Sequence, residues 1–174
     1  MNIRHLPYDP AGKPAPDPLR VVLDRHHTPQ RSERQPVALH GNMALLPLQG
    51  HAAVQTPATA ATVAAGGLLL LSAGNYLFSE VPPAAGPYIA LQVYFSNELL
   101  TDLFIKYHGY LPGIAPSLRQ PLLAYAPDVF LQEYAQSLQY ATHVDAAKLE
   151  ALLRYLLQQD AAKLRRWQIV AAQD

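Results

Sequence analysis

Residues 66–80 constrain the fold of this chain more than any other segment. They read Gly-Gly-Leu-Leu-Leu-Leu-Ser-Ala-Gly-Asn-Tyr-Leu-Phe-Ser-Glu, which predicts a buried strand, a tight turn at residues 72–74 and a second strand. The segment overlaps a longer region, residues 35–79, that contains no Asp, Glu, Lys or Arg. Because prolines and glycines divide this region into runs too short for a membrane-spanning helix, we interpret it as several short strands of a folded core.

The glycine spacing of this segment, with Gly66 eight residues before Gly74, resembles the second conserved motif of the cupin β-barrels. In metal-dependent cupins a histidine ligand stands three residues after the turn glycine, where this chain has Leu77. The two histidine positions of the first cupin motif fall on Pro47 and Gln49, and neither side chain is a metal ligand of that kind. The resemblance therefore implies a barrel that has lost its metal, and we expect neither a metal site nor a cofactor.

The chain divides by composition near residue 96, because turn residues recur before it and helical periodicity prevails after it. We predict an α+β protein in three parts. Residues 1–18 form a flexible proline-rich arm, and residues 19–95 form a degenerate cupin-like β-barrel of about eight short strands. Residues 96–174 form a helical dimerisation subdomain with a linker-like tail.

Two regions carry weaker signals. Residues 19–24 predict the first barrel strand, and the polar residues 26–35 predict a loop. Near the end of the chain, Asp145 and Asp160 each begin an Asp-Ala-Ala-Lys-Leu segment. Since aspartate is a favoured N-cap, this echo predicts either two consecutive helices or one helix with a bend.

The composition argues against several functions. Thirteen basic and thirteen acidic side chains balance, whereas a domain that grips nucleic acid unaided usually has a basic excess. The chain has no cysteine, which excludes thiolate catalysis, and no nucleophile elbow or phosphate-binding glycine loop is present. We therefore predict a protein that is not an enzyme and has no catalytic residues. Residues 1–18 lack the apolar core of a signal peptide, so we expect a cytoplasmic protein without a membrane partner.

One predicted helix carries a dense apolar stripe at positions i, i+3, i+4, i+7 and i+8. The stripe consists of Leu149, Leu152, Leu153, Leu156 and Leu157. Packing against the barrel explains at least half of these leucines. A helix of this kind has more apolar surface than one contact needs, however, and exposed leucines would be unfavourable. We therefore predict that the stripe also forms the interface of a homodimer.

The order of these elements resembles the N-terminal domain of AraC-type transcription regulators, and more narrowly the subgroup that contains ExsA. The matching elements are the turn over residues 66–74, a strand that runs directly into a helix over residues 88–104, and the leucine-rich helix over residues 148–157. In that family the barrel is regulatory, the leucine-rich helices dimerise, and a separate C-terminal domain with helix-turn-helix motifs binds DNA. The resemblance implies that DNA is contacted only through such a domain, which is missing from this chain.

The resemblance leads us to expect the regulatory domain of a bacterial AraC-type regulator, which senses an effector, dimerises, or does both. The effector would be a small molecule or a regulatory protein. A small molecule would lie inside the barrel, and its candidate contacts are His26, Tyr76, Leu77, Tyr88 and Tyr94.

Two alternatives stay open on the sequence. A metal-free cupin enzyme, such as an isomerase or lyase, would show a paired acid and base in the barrel mouth. A stand-alone antagonist would instead form mixed dimers with a full-length regulator. The sequence names neither an effector nor the regulated genes.

Overall fold

The computed structural model describes residues 2–7, 20–108 and 120–173, and it contains two five-stranded sheets. The outer sheet contains, in order across it, β1 (Arg4–Leu6), β3 (Ser32–Leu39), β8 (Gly74–Val81), β5 (His51–Gln55) and β6 (Ala60–Ala64). The middle sheet contains β10 (Leu122–Tyr125), β7 (Leu68–Leu71), β4 (Asn42–Gln49), β9 (Tyr88–Phe95) and β2 (Val22–Thr28). The two sheets face each other across a shared apolar core, and the predicted α+β architecture is confirmed.

Helices cover the other face of the middle sheet. Those in the described residues are α1 (Asn97–His108), α2 (Val129–Gln139), α3 (Ala146–Gln159) and α4 (Ala161–Gln173). The two Asp-Ala-Ala-Lys-Leu segments begin separate helices, since Asp160 is extended and its carboxylate accepts the backbone N–H of Lys163 at 3.1 Å. Across these ranges, no helix is long and apolar enough to cross a membrane.

The middle sheet is buried on both faces. In β7, Leu69 and Leu71 face the outer sheet, whereas Leu68 and Leu70 face the helices. All four leucines are fully buried. Successive side chains of a strand point to opposite faces, so a strand covered on both sides is apolar at every position. This double cover explains the run of four leucines.

Two strands lie outside the limits predicted for the barrel. Arg4–Leu6 falls in the predicted flexible arm, yet it pairs in parallel with β3 and buries Leu6 between the sheets. Leu122–Tyr125 falls in the predicted helical part, yet it pairs with β7 at the edge of the middle sheet. Strands of three and four residues are too short to show the alternation that identifies a strand in a sequence. Residues 8–18 of the predicted arm lie outside the described residues.

The first strand of the middle sheet also differs from its prediction. It runs over Val22–Thr28 instead of residues 19–24, and Ser32–Leu39 follows as β3, so most of the predicted loop over residues 26–35 is strand. The polar residues of β2 are tolerated because it is the edge strand of the middle sheet, and Asp24, Arg25 and His27 are exposed.

The connection between β4 and β5 requires glycine. Gly50 has a φ of +82°, in the left-handed region, and a Cβ at this position would lie 2.3 Å from the carbonyl oxygen of Val81. By contrast, a Cβ on Gly41 would lie 3.6 Å from the carbonyl oxygen of Phe95, which is an ordinary contact. Alanine at Gly41 is therefore a suitable control for alanine at Gly50.

We predict that Gly50→Ala lowers the free energy of unfolding by about 1–3 kcal/mol or more, because strain and a backbone clash add together. Gly41→Ala, as the control, changes the same quantity by less than about 0.5 kcal/mol. Urea unfolding followed by circular dichroism measures both. Equal changes in the free energy of unfolding for the two substitutions would contradict the requirement for glycine at position 50.

Candidate functional site

A group of three charged or titratable side chains lies where β1, β2 and β8 meet. Nε2 of His26 lies 3.0 Å from Oε1 and 2.9 Å from Oε2 of Glu80. Nη2 of Arg4 lies 3.2 Å from Nδ1 of His26, and Nη1 of Arg4 lies 3.9 Å from Oε2 of Glu80. Oε1 has the alignment of a hydrogen bond, whereas the contacts of Oε2 are electrostatic. Both nitrogens of the imidazole are therefore in use.

Strand alternation brings this group to the interior of the barrel. In β8, Tyr76, Phe78 and Glu80 are buried, whereas the residues between them are only partly buried. In β2, His26 pairs with Ala90 of β9, which belongs to the core between the sheets. Glu80 is only 3% exposed. A buried carboxylate is unfavourable without partners, and Arg4 and His26 supply them from two neighbouring strands.

Further polar groups lie deeper between the sheets. The hydroxyl of Tyr94 donates to Oε1 of Gln92 at 2.7 Å. The hydroxyl of Tyr88 and Nε2 of Gln92 are buried without a hydrogen-bond partner. Burial raises the pKa of both tyrosines above the ordinary value, and the charge of Glu80 raises the pKa of Tyr88 further. Both phenols consequently keep their protons at neutral pH and can donate hydrogen bonds.

The five predicted effector contacts are divided between the interior, where the two sheets face each other, and the outward face of the outer sheet. The interior contains His26, Tyr76, Tyr88 and Tyr94. Leu77 lies on the opposite face, because neighbours along a strand point in opposite directions. It lines a groove of about 330 Å³ together with Ile3 and Pro36. The roles of these residues as effector contacts stay a prediction.

Three residues of the site were not predicted from the sequence. Arg4 gave no signal, since its strand is too short to be recognised. Glu80 is the first charged residue after the charge-free region, and Gln92 interrupts an apolar strand. Isolated polar residues in an otherwise apolar strand are the signal that was available for both.

Two hydrogen-bonded pairs of potential metal ligands occur in the described residues. His26 and Glu80 form one pair, and His5 and His40 form another, with a nitrogen–nitrogen distance of 2.8 Å. No cluster of three or more such ligands exists within the described ranges. Because a zinc site takes at least three protein ligands, neither pair is sufficient by itself.

The leucine stripe of α3 packs mainly within this chain. Leu149, Leu152, Leu153 and Leu156 are buried in the core between the helices and the middle sheet, and Leu157 is half-buried. Packing on the barrel thus accounts for four of the five leucines. The homodimer interface stays a prediction, and within the stripe it rests on Leu157.

Solved structures with this fold include those of ToxT from Vibrio cholerae. One crystal form matches with a TM-score of 0.60 at 9% identity, over 86% of this chain and 58% of that chain. ToxT from strain O395 bound to (E)-4-(8-methylnaphthalen-1-yl)but-3-enoic acid matches with a TM-score of 0.57 at 10% identity, over 86% and 58%. Wild-type ToxT from strain SCE256 bound to an unsaturated fatty acid matches with a TM-score of 0.50 at 13% identity, over 85% and 55%. The chain thus spans little more than half the length of these proteins, and the likeness shows the fold.

Fold and sequence together define an N-terminal regulatory domain of the AraC type. Residues 42–164 match the ExsA N-terminal regulatory domain, which is more than half of the 174 residues. The chain therefore belongs to the ExsA N-terminal regulatory domain family, and the resemblance drawn from the sequence is confirmed. No curated protein matches the chain.

The two buried tyrosines Tyr88 and Tyr76 allow a direct test of the site. The hydroxyl of Tyr76 donates to the carbonyl oxygen of Ser72 at 2.6 Å, whereas that of Tyr88 has no partner. We predict that Tyr76→Phe lowers the free energy of unfolding by about 1–2 kcal/mol, and that Tyr88→Phe leaves it unchanged or raises it by up to about 1 kcal/mol. Urea unfolding measures both values. A loss for Tyr88→Phe as large as that for Tyr76→Phe would show that the Tyr88 hydroxyl has a protein partner.

Proposed function

We propose that this regulatory domain binds a small carboxylic acid with an apolar body between its two sheets, and that binding controls the DNA-binding activity of an AraC-type regulator. Such a regulator acts where the chromosome lies, in the bacterial cytoplasm. The observation that carries the proposal is the buried pair of unpartnered polar groups, the Tyr88 hydroxyl and the Gln92 amide. Buried polar groups are nearly always hydrogen-bonded, so two unpaired donors in one core favour a ligand between them.

The chemical class of the ligand follows from the charged groups where β1, β2 and β8 meet, at the seam between the two sheets. Arg4 and His26 are cationic or protonatable groups at this site, and the positive charge of Arg4 partly offsets the rise in the pKa of Tyr88 that burial and the charge of Glu80 cause. Guanidinium groups bind carboxylates through two parallel hydrogen bonds, and the described contact of Arg4 with His26 uses one of five N–H donors. The two ligands that occupy ToxT are likewise carboxylic acids with apolar bodies.

We predict that oleate, used below its micelle concentration, binds the purified chain at one site with measurable heat and raises its melting temperature. Arg4→Gln weakens binding about tenfold or more, because it removes the cation. Arg31→Gln is the matched control, since Arg31 is 64% exposed on the turn after β2. Isothermal titration calorimetry measures both variants.

The methyl ester of oleate provides a control for nonspecific adsorption. It keeps the apolar chain but lacks the carboxylate, so we expect no saturable binding. Equal affinity for acid and ester, or equal affinity of the Arg4 and Arg31 variants, would contradict the proposed carboxylate site.

The regulatory function also includes the proposed homodimer. On the outer side of α3, Leu157 is half-buried and Gln158 beside it is exposed, whereas the four other leucines stabilise the monomer. A contact between two copies of α3 would therefore use Leu157 as its apolar centre.

Leu157→Glu separates dimerisation from folding. We predict a monomer with an unchanged circular dichroism spectrum, because the substitution adds a charge at the proposed interface while most of the helix core stays intact. Gln158→Glu, the neighbouring control, keeps the dimer. Sedimentation velocity at several concentrations distinguishes the two states. A dimer that survives Leu157→Glu, or a native chain that is always monomeric, would contradict this interface.

One observation favours the enzyme alternative and another argues against it. His26 and Glu80 form a pair of the kind expected for acid–base chemistry in a barrel mouth. However, Glu80 and Arg4 occupy both nitrogens of the imidazole, so His26 has no free nitrogen for a substrate proton. This arrangement favours a role in binding and structure over proton transfer.

A further inference from the structure

The short strand β1 closes the seam between the two sheets. It belongs to the outer sheet, where Arg4 pairs with Val37, yet its Arg4 side chain reaches His26 in the middle sheet. Leu6 is 2% exposed in the core between the sheets, and its carbonyl oxygen accepts the backbone N–H of His40 at 2.7 Å. With only three residues in the strand, its side-chain contacts carry a large share of its attachment.

One of these contacts joins two exposed imidazoles. Nδ1 of His5 lies 2.8 Å from Nε2 of His40, and the ring planes are 15° from parallel with centroids 5.0 Å apart. Parallel rings with nitrogens this close cannot lie face to face, because they would overlap, so the rings lie edge to edge in nearly one plane. A single proton lies between the two nitrogens, donated by one ring and accepted by the other.

The other contact depends on His26. Its Nδ1 accepts from Arg4, so that nitrogen carries no proton, and Nε2 carries the proton donated to Glu80. The groups that face this imidazole are Arg4 from β1, Glu80 from β8 and the ring of Tyr88 from β9, whose centroid is 6.0 Å away. For the exposed pair, His5 and His40 face each other, and no other ion pair or side-chain hydrogen bond to either is present among the described residues.

We propose that β1 is a histidine-latched strap, which closes the seam between the two sheets at neutral pH and is released when the pH falls. This device shares Arg4 and His26 with the effector site proposed above, but its test uses no effector. Both polar side chains of the strap, Arg4 and His5, contact an imidazole nitrogen that lacks a proton, and Arg4 also lies 3.9 Å from Oε2 of Glu80.

Protonation of the imidazole nitrogens determines the direction of the pH effect. The His5–His40 pair can take up one proton on an outer nitrogen and keep its central hydrogen bond, but a second proton places two N–H groups against each other. Protonation of His26 at Nδ1 likewise sets an N–H against the guanidinium of Arg4, and it strengthens the bond to Glu80 at the expense of Arg4. Full protonation therefore disfavours both contacts, so a fall in pH from 8 toward 5, the range in which histidine generally changes its charge, favours release of β1.

A spin label on the strap tests the proposal. The chain has no cysteine, so Ile3→Cys, at an exposed position directly before β1, accepts a single nitroxide label. We expect the ratio of released to docked strap, measured from the spectral line shape, to rise reversibly by on the order of tenfold between pH 8 and pH 5. A label at Gln158→Cys on α3 is the control and should not respond, and an unchanged circular dichroism spectrum shows that the domain stays folded.

Histidine variants show which side chains cause the pH response of the strap. Glutamine keeps a donor and an acceptor but does not titrate, so His5→Gln with His40→Gln should reduce the response, and adding His26→Gln should abolish it. Hydrogen exchange of residues 2–7 in the unlabelled protein, referenced to the free peptide at each pH, gives the same comparison without a label. Label mobility that is equal at pH 8 and pH 5, or a full response in the triple variant, would overturn the proposal.

Discussion

The rest of the structure depends on the double burial of the middle sheet. One of its faces shares a core with the outer sheet and the other shares a core with the helices. Fully burying one leucine stabilises the folded state by about 1.5–3 kcal/mol, and every side chain of Leu68–Leu71 is fully buried. A strand in this position tolerates no unpaired charge, which explains why β4 and β7, both within the charge-free region over residues 35–79, contain no charged side chain.

The same sheet connects the interior of the barrel to the helices. In β9, Tyr94 faces the outer sheet and its neighbour Phe95 faces the helices, where its ring meets Trp167 of α4 edge-on at 6.1 Å. A second link runs through β10, because Nζ of Lys163 donates to the carbonyl oxygen of Ala124 at 2.5 Å and lies 3.9 Å from the ring centroid of Tyr125. A molecule bound between the sheets would therefore press on strands that α4 also contacts. In the proposed function, this arrangement would couple the interior of the barrel to the helices.

The parts of the fold that the sequence predicted are those with strong periodicity. The apolar strands over residues 66–80 and the leucine stripe of α3 were recognisable because neighbouring elements bury every leucine of β7, alternate residues of β8 and four of the five leucines of the stripe. The edge strands were not, because β1 and β10 are too short to show a pattern and the polar sequence of β2 resembles a loop. An edge strand takes its structure from its partner more than from its own residues, which a sequence read alone does not show.

The candidate site was predicted only in part for the same reason. Tyr88 and Tyr94 stand out in an apolar strand, and their inward direction follows from alternation. The pairing of His26 with Glu80 joins residues 54 positions apart, and Arg4 joins them from a third strand. Contacts of this kind depend on the sheet order, which no local pattern contains. Leu77 and Tyr76 were both predicted as effector contacts inside the barrel. Adjacent strand residues point to opposite faces, so strand alternation would have separated them.

Hydrogen exchange of the chain with and without oleate tests the central claim most directly, since it reports on each element separately. If the barrel binds an effector and the middle sheet transmits the effect, protection increases in β8 and β9 and also changes in α3 and α4. Protection confined to the outer face of the barrel, or an exchange pattern that oleate leaves unaltered in both regions, would contradict the account.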